Sequence, residues 1–156
     1  MKRLWIGLLL VSVFAVAGYS KKNMTAVGLY GNLMGSGTGA AGGSIGLSLK
    51  FGRFPVLGIE YSFRDNGGLG VSCDWWVVND GLGGTLLHYY LGIGAFAGLR
   101  FNTSQNAIDV GGRIPIGLQI FPVKNFELFG ELAPLVYFLP EINIGYNARL
   151  GLRVHF

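Results

Sequence analysis

Residues 37–42 read G-T-G-A-A-G, the G-x-G-x-x-G spacing of a dinucleotide-binding turn. That turn works only where a buried strand feeds the glycines and a helix follows, because the helix N-terminus receives the pyrophosphate. Here the next residues, G-S-I-G-L-S-L-K-F from Gly43, set Ile45, Leu47, Leu49 and Phe51 against Ser44, Gly46, Ser48 and Lys50. Alternation with period two is a strand, so residues 35–43 are expected to form a flexible loop that holds no nucleotide. Other residues of catalytic type are few. His88, His155 and Cys73 lie far apart and make no metal-ligand set, and neither a cofactor nor a metal is expected.

The acids and arginines are spaced more informatively. Glu131 and Arg149 are equidistant from Pro140, and so are Glu127 and Arg153. In an antiparallel hairpin turning at Pro140 each acid lies directly opposite its arginine. Arg100 and Asp109 likewise flank a turn at Asn102 to Asn106. Together with Glu60 and Arg113, these residues are expected to form an internal ion-pair network, with Glu60, Arg113, Glu131 and Arg149 near its middle.

Strands must position them. The period-two pattern recurs over Leu57 to Phe63, Leu69 to Val77, Leu87 to Phe101, Ile108 to Ile120, Phe126 to Val136 and Ile144 to Phe156, with a weaker segment at Ala26 to Leu33, for about eight strands. Turn residues fall between them at 52–55, 65–68, 79–81, 102–106, 122–125 and 140–141. Connections this short make neighbours antiparallel, an up-and-down meander.

The two faces differ in kind. Eleven charged residues, Lys50, Glu60, Arg64, Asp74, Arg100, Asp109, Arg113, Glu127, Glu131, Arg149 and Arg153, share the polar face, and none sits on the apolar one. A soluble sandwich points its large apolar residues inward and coats itself with charge. Here the polar face is mostly Gly and Ser with sparse charge, a poor solvent coat but a fitting lining for a narrow interior. A charge on the lipid side of a barrel costs about 2–4 kcal/mol at mid-bilayer, so a strictly uncharged face is what a bilayer selects. Open edges cannot persist there, so the sheet must close.

Composition agrees: only 13% of residues are charged, 51% are hydrophobic and 27 of the 156 are glycine, against roughly a quarter charged in soluble domains. Lys2 and Arg3, the apolar run Leu4 to Ala17 and the Ala15/Ala17 pair read as a secretory signal peptide over 1–17, leaving 18–156 as the barrel. The net charge of +4 falls to +2 without Lys2 and Arg3, ten basic against eight acidic residues, too weak to argue for nucleic acid.

With these features the chain resembles the small eight-stranded outer-membrane barrels, the class of OmpX and the OmpA transmembrane domain. The carriers are the leader, the alternating strands, and the end N-A-R-L-G-L-R-V-H-F, whose Phe156, Val154 and Leu152 resemble the signal read by the barrel assembly machinery. Residues 113–141 are similar to the final hairpins of short envelope barrels from spirochaetes. The resemblance implies an all-β, closed transmembrane barrel in the bacterial outer membrane, with outer-membrane lipid and the assembly machinery as partners. Pro115 and Pro134 depart from the pattern, since each removes a ladder donor inside a strand. The expected role is a structural envelope component or surface adhesion protein with a filled interior, not an enzyme. An extracellular ligand would be met through short loops at 35–42, 65–68, 102–106 and 138–141. A narrow ion or small-solute channel is the alternative. A lipid A-modifying enzyme ranks third, because a periplasmic N-terminus puts both histidines at the periplasmic rim.

Overall fold

The computed structural model describes residues 25–37, 41–52, 55–63, 66–82, 86–101 and 107–156; the leader over 1–17 and Arg64 lie outside them. Strands β1 (Thr25–Ser36), β2 (Ala41–Phe51), β3 (Val56–Ser62), β4 (Gly68–Gly81), β5 (Leu87–Arg100), β6 (Ala107–Arg113), β7 (Ile116–Val123), β8 (Phe126–Leu139) and β9 (Asn143–His155) make one sheet. All pairings are antiparallel, β9 returns to β1, and β4 pairs with β5, so the sheet is closed.

Nine segments make eight strands. β6 and β7 both pair with β5 on one side and β8 on the other. The register carries through the break: Arg113 faces Leu135 and Ile116 faces Leu132. The interruption falls at Ile114-Pro115. Gly92 donates to the Pro115 carbonyl at 2.8 Å, and Pro115 has no N–H to return the bond. Pro134 is tolerated within β8 because its carbonyl accepts from Ile114 at 3.2 Å, so the side on which it lacks a donor faces this same break and the ladder to β9 stays whole. Both prolines thus place their defect at one spot.

Closure fixes the barrel's shape. Partners followed once around the wall run Ala26, Lys50, Val56, Asp74, Gly94, Arg113, Leu135, Gly145 and back to β1 at Ser36, a stagger of ten residues. With eight strands, a rise of about 3.3 Å and a spacing of about 4.8 Å, that stagger tilts the strands by about 40°. Such an interior is just wide enough for side chains.

The alternation decides what fills it. Leu29, Leu47, Ile59, Val71, Ile93, Ile116, Leu132 and Leu152 stand outward and exposed, while Tyr30, Ser48, Ser72, Asp74, Tyr90, Arg113, Glu127, Glu131, Arg149 and Arg153 are buried within. The lumenal glycines leave room for rings from neighbouring strands: Tyr30 lies over Gly46 and Gly58, Tyr90 over Gly117, and Phe129 over Gly151.

Several boundaries differ from the sequence expectation. Gly35 pairs with Ala41 and Leu33 with Gly43, so most of the run expected as a flexible loop over 35–43 is strand, and residues 38–40 lie outside the described residues. Asn79 to Gly81 continue β4 rather than turning, because Val77 forms a bulge that shifts the register against β5 and lets the pairing run to Gly81 with His88. Pro122 lies in β7 ahead of a tight turn at Lys124-Asn125. Turns do occur at Gly52 and Gly67, whose φ values of 61° and 92° favour glycine.

Candidate functional site

The interior holds two linked clusters. In the first, Glu60 accepts from Tyr30 Oη at 3.0 Å and from Asn32 Nδ2 at 3.2 Å, and pairs with Arg149 Nη2 at 3.3 Å. Arg149 Nη1 donates to Ser72 Oγ at 3.1 Å and lies 3.9 Å from Asp74 and 3.8 Å from Glu131. Arg113 bonds Glu131 through Nη2 and sits 3.3 Å from Asp74 Oδ1 through Nε, close enough to pair though not aligned as a hydrogen bond. Tyr90 Oη donates to Glu131 at 2.8 Å. Three carboxylates and two guanidiniums are therefore joined.

The second cluster lies toward the chain termini and centres on Glu127. Arg153 Nη1 donates to it at 2.5 Å, Gln119 Nε2 at 2.7 Å, and His155 Nε2 bonds it at 2.6 Å. Arg153 Nε also donates to Ser48 Oγ at 2.8 Å, and its guanidinium lies 3.7 Å over the Phe129 ring. Lys50 Nζ stands 4.6 Å over Trp76, which stacks on Tyr90 at 4.2 Å and ties the clusters together. Across both, the four acids Glu60, Asp74, Glu127 and Glu131 balance Lys50, Arg113, Arg149 and Arg153. That balance is what burial demands, since an unpaired ion in a dry interior is very costly.

Arg100 and Asp109 form a separate pair, 2.8 Å apart, nearer the other end. They are not directly opposite, as expected, for Asp109 faces Gly98 and Arg100 faces Ala107. The pair reaches along the diagonal, which long side chains span. By contrast Glu131 with Arg149 and Glu127 with Arg153 are direct partners.

The sequence reading left out Asp74, Tyr30, Asn32, Ser48, Ser72, Tyr90, Gln119 and His155. Parity set Ser48, Ser72, Asp74, Tyr90, Gln119 and His155 on the polar face, yet contacts across the barrel depend on the stagger, which only closure defines. His155, expected at the periplasmic rim, is a buried partner of Glu127. His88 and His155 flank Phe121, 5.2 and 5.5 Å from its ring. Among the described residues no three His, Cys, Asp or Glu side chains converge as a metal site.

The lumen is not filled throughout. At the end away from the termini a cavity of about 430 Å³ opens between the β8–β9 turn, Phe96, Arg100 and Asp109, with Asn32, Ser72, Asn147 and Arg149 in its floor. Below it Tyr90, Pro115, Gln119, Glu127 and Arg153 are wholly enclosed.

No family model and no curated protein sequence matches the chain. Solved structures do. Neisserial surface protein A aligns at 13% identity over 87% of this chain and 98% of its own, TM-score 0.53. The N-terminal β-barrel domain of Pseudomonas aeruginosa OprF aligns at 19% over 86% and 99%, TM-score 0.52. A de novo designed transmembrane β-barrel aligns at 12% over 88% and 98%, TM-score 0.50. The fold is that of the small eight-stranded outer-membrane barrels. At such identities the likeness concerns the path of the chain, and the interior chemistry of this barrel is read from its own residues.

Proposed function

We propose that the protein is an outer-membrane barrel with an obstructed interior, acting as a structural envelope component or as an adhesion or interaction protein through the segments at its open mouth. The observation that carries this reading is the outer wall. Leu29, Leu47, Ile59, Ile93, Ile116, Leu132 and Leu152 are all exposed, and among the described strand residues the one charge on this side is Asp80, at the end of β4. A wall of that composition around a lumen of matched ions is inside-out for water and suited to hydrocarbon. Outward Tyr61, Phe63, Phe101, Tyr146 and Phe156 lie toward strand ends, where aromatic girdles meet the headgroups. Outer-membrane lipid is then the surrounding partner, Phe156, Val154 and Leu152 the assembly signal, and an extracellular ligand would be met at the mouth. A non-enzymatic role agrees with His155 being held by Glu127 and with Ser48 being bonded to Arg153 rather than to a base.

Cell fractionation followed by gel migration with and without boiling tests the reading. A band in the outer membrane that runs faster unboiled supports it, and a soluble band that does not shift overturns it. Planar-bilayer recordings of the refolded protein separate the obstructed barrel from the narrow channel. A silent bilayer is expected, and discrete openings would favour the channel.

A further inference from the structure

Pairing on β4 is unequal on its two sides. Asp74 is the last β4 residue paired with β3, opposite Val56, whereas pairing with β5 runs on to Gly81 opposite His88. β3 cannot follow, because Pro55, just before Val56, has no N–H to carry the ladder onward. Among the described residues nothing pairs with Trp75 to Gly81 on the β3 side. A strand edge therefore stands open at the end of the barrel where β1 begins and β9 finishes.

The hairpin fixes which backbone groups this edge presents. Leu82 N–H donates across to the Leu87 carbonyl at 2.8 Å, so alternation turns the N–H groups of Asn79 and Gly81 away from β5, toward the empty position. Gly81 N–H is met there by the carboxylate of its neighbour Asp80 at 2.8 Å, an acceptor standing where an added strand would bring a carbonyl. An open edge cannot persist in hydrocarbon, and the exposed side chains of Asn79 and Asp80 put this one at the headgroups or beyond. Such an edge is a template for one more strand.

Geometry and charge narrow the occupant. A second copy in the same membrane is related by a two-fold axis along the bilayer normal, and strands tilted by about 40° then cross at about 80°, too steeply to pair. Asp80, the one outward charge of the described strands, favours a cation opposite it. Trp75 and Val77, 50% and 69% exposed, favour apolar neighbours. We propose that the edge from Trp75 to Gly81 takes up an extended segment of another protein, antiparallel to β4 as β3 is, with apolar residues beside Trp75 and Val77 and a lysine or arginine beside Asp80. The inference concerns the end of the barrel opposite the mouth and does not depend on what the mouth meets.

The test uses ¹⁵N-labelled protein refolded in dodecylphosphocholine micelles. The probe is an acetylated, amidated peptide T-K-V-T-V-T-V, whose antiparallel register sets its lysine opposite Asp80; the control peptide has glutamate in place of lysine. Saturable shifts and slowed hydrogen exchange of the Asn79 and Gly81 amides are expected with the lysine peptide, and binding about threefold weaker with the control. Asn79→Pro removes an N–H that faces the edge and none that faces β5, so the barrel keeps its fold while affinity falls by about tenfold. Asp80→Lys should reverse the preference between the two peptides. Unboiled gel migration reports folding of each variant. An absence of saturable shifts at Asn79 and Gly81 would overturn the proposal, as would equal affinity for both peptides or affinity unchanged in Asn79→Pro. Slow exchange of the Asn79 amide before any peptide is added would also overturn it, since the edge would then be filled by the chain's own residues 18–24 or by a second copy.

Discussion

Replacing Glu127 by glutamine should damage the barrel more than any other single change to its ion pairs. Glu127 is 0% exposed and Arg153 2%, and Glu127 is the acid paired with Arg153, whose other contacts are Ser48 Oγ and the Phe129 and Trp76 rings. Lys50 stands in the same chamber over Trp76. Glu127→Gln therefore leaves two cations with no anion among them, and stranding a buried ion typically costs 3–5 kcal/mol. Glu131→Gln is the instructive contrast, because Arg113 keeps Asp74 at 3.3 Å and Arg149 keeps Glu60 at 3.3 Å. The expectation is about 5 kcal/mol for Glu127→Gln and about 3 for Glu131→Gln. Adding Arg153→Met to Glu127→Gln removes the stranded charge and keeps an apolar chain against Phe129, so it should recover about 2 kcal/mol. The assay is urea unfolding in lipid vesicles, followed by Trp75 and Trp76 fluorescence and by unboiled gel mobility. Equal costs below about 1 kcal/mol for both single variants, the value of solvated pairs, would refute the dry-lumen reasoning.

Two further substitutions probe the outer wall and the space inside. Ile59→Arg, on an outward position between Leu47 and Val71, should cost about 2–4 kcal/mol in vesicles, while Phe63→Arg just beyond the end of β3 should cost about 0–1, both read from urea midpoints. Gly117→Leu would put a Cβ onto the Tyr90 ring and push it from Glu131 and Trp76; its fast-migrating unboiled band should disappear, whereas Gly98→Ala, meeting nothing nearer than 3.7 Å, should keep it.

The faces of the strands were legible in the sequence because side-chain direction has period two, and a lipid wall permits no charged exception at Leu47, Ile59 or Leu152. The β8–β9 register was legible because two acid–arginine pairs are equidistant from Pro140, and a tight turn leaves little freedom between them. The β5–β6 register was not, since Arg100 and Asp109 reach each other along a diagonal. The bulge at Val77 likewise moved a turn that Asn79-Asp80-Gly81 had advertised. Most of the missed interior partners belong to non-neighbouring strands: Arg149 on β9 meets Ser72 on β4 across the lumen, and Arg153 on β9 meets Ser48 on β2. Spacing along the chain carries no record of such contacts. They follow from the ten-residue stagger of the closed wall, and so does the cavity that a lumen read as wholly filled did not foresee.

The most direct test of the inside-out wall is quenching of single fluorophores by brominated acyl chains in vesicles. A Cys73→Ser background carries one cysteine at a time at Leu47, Ile59, Ile116 or Leu152, each labelled and compared with one at the β8–β9 turn residue Glu141. The four wall sites should be quenched by brominated chains and shielded from aqueous iodide, with Glu141 the reverse. Iodide quenching at the four wall sites, with no effect of bromine, would contradict the account.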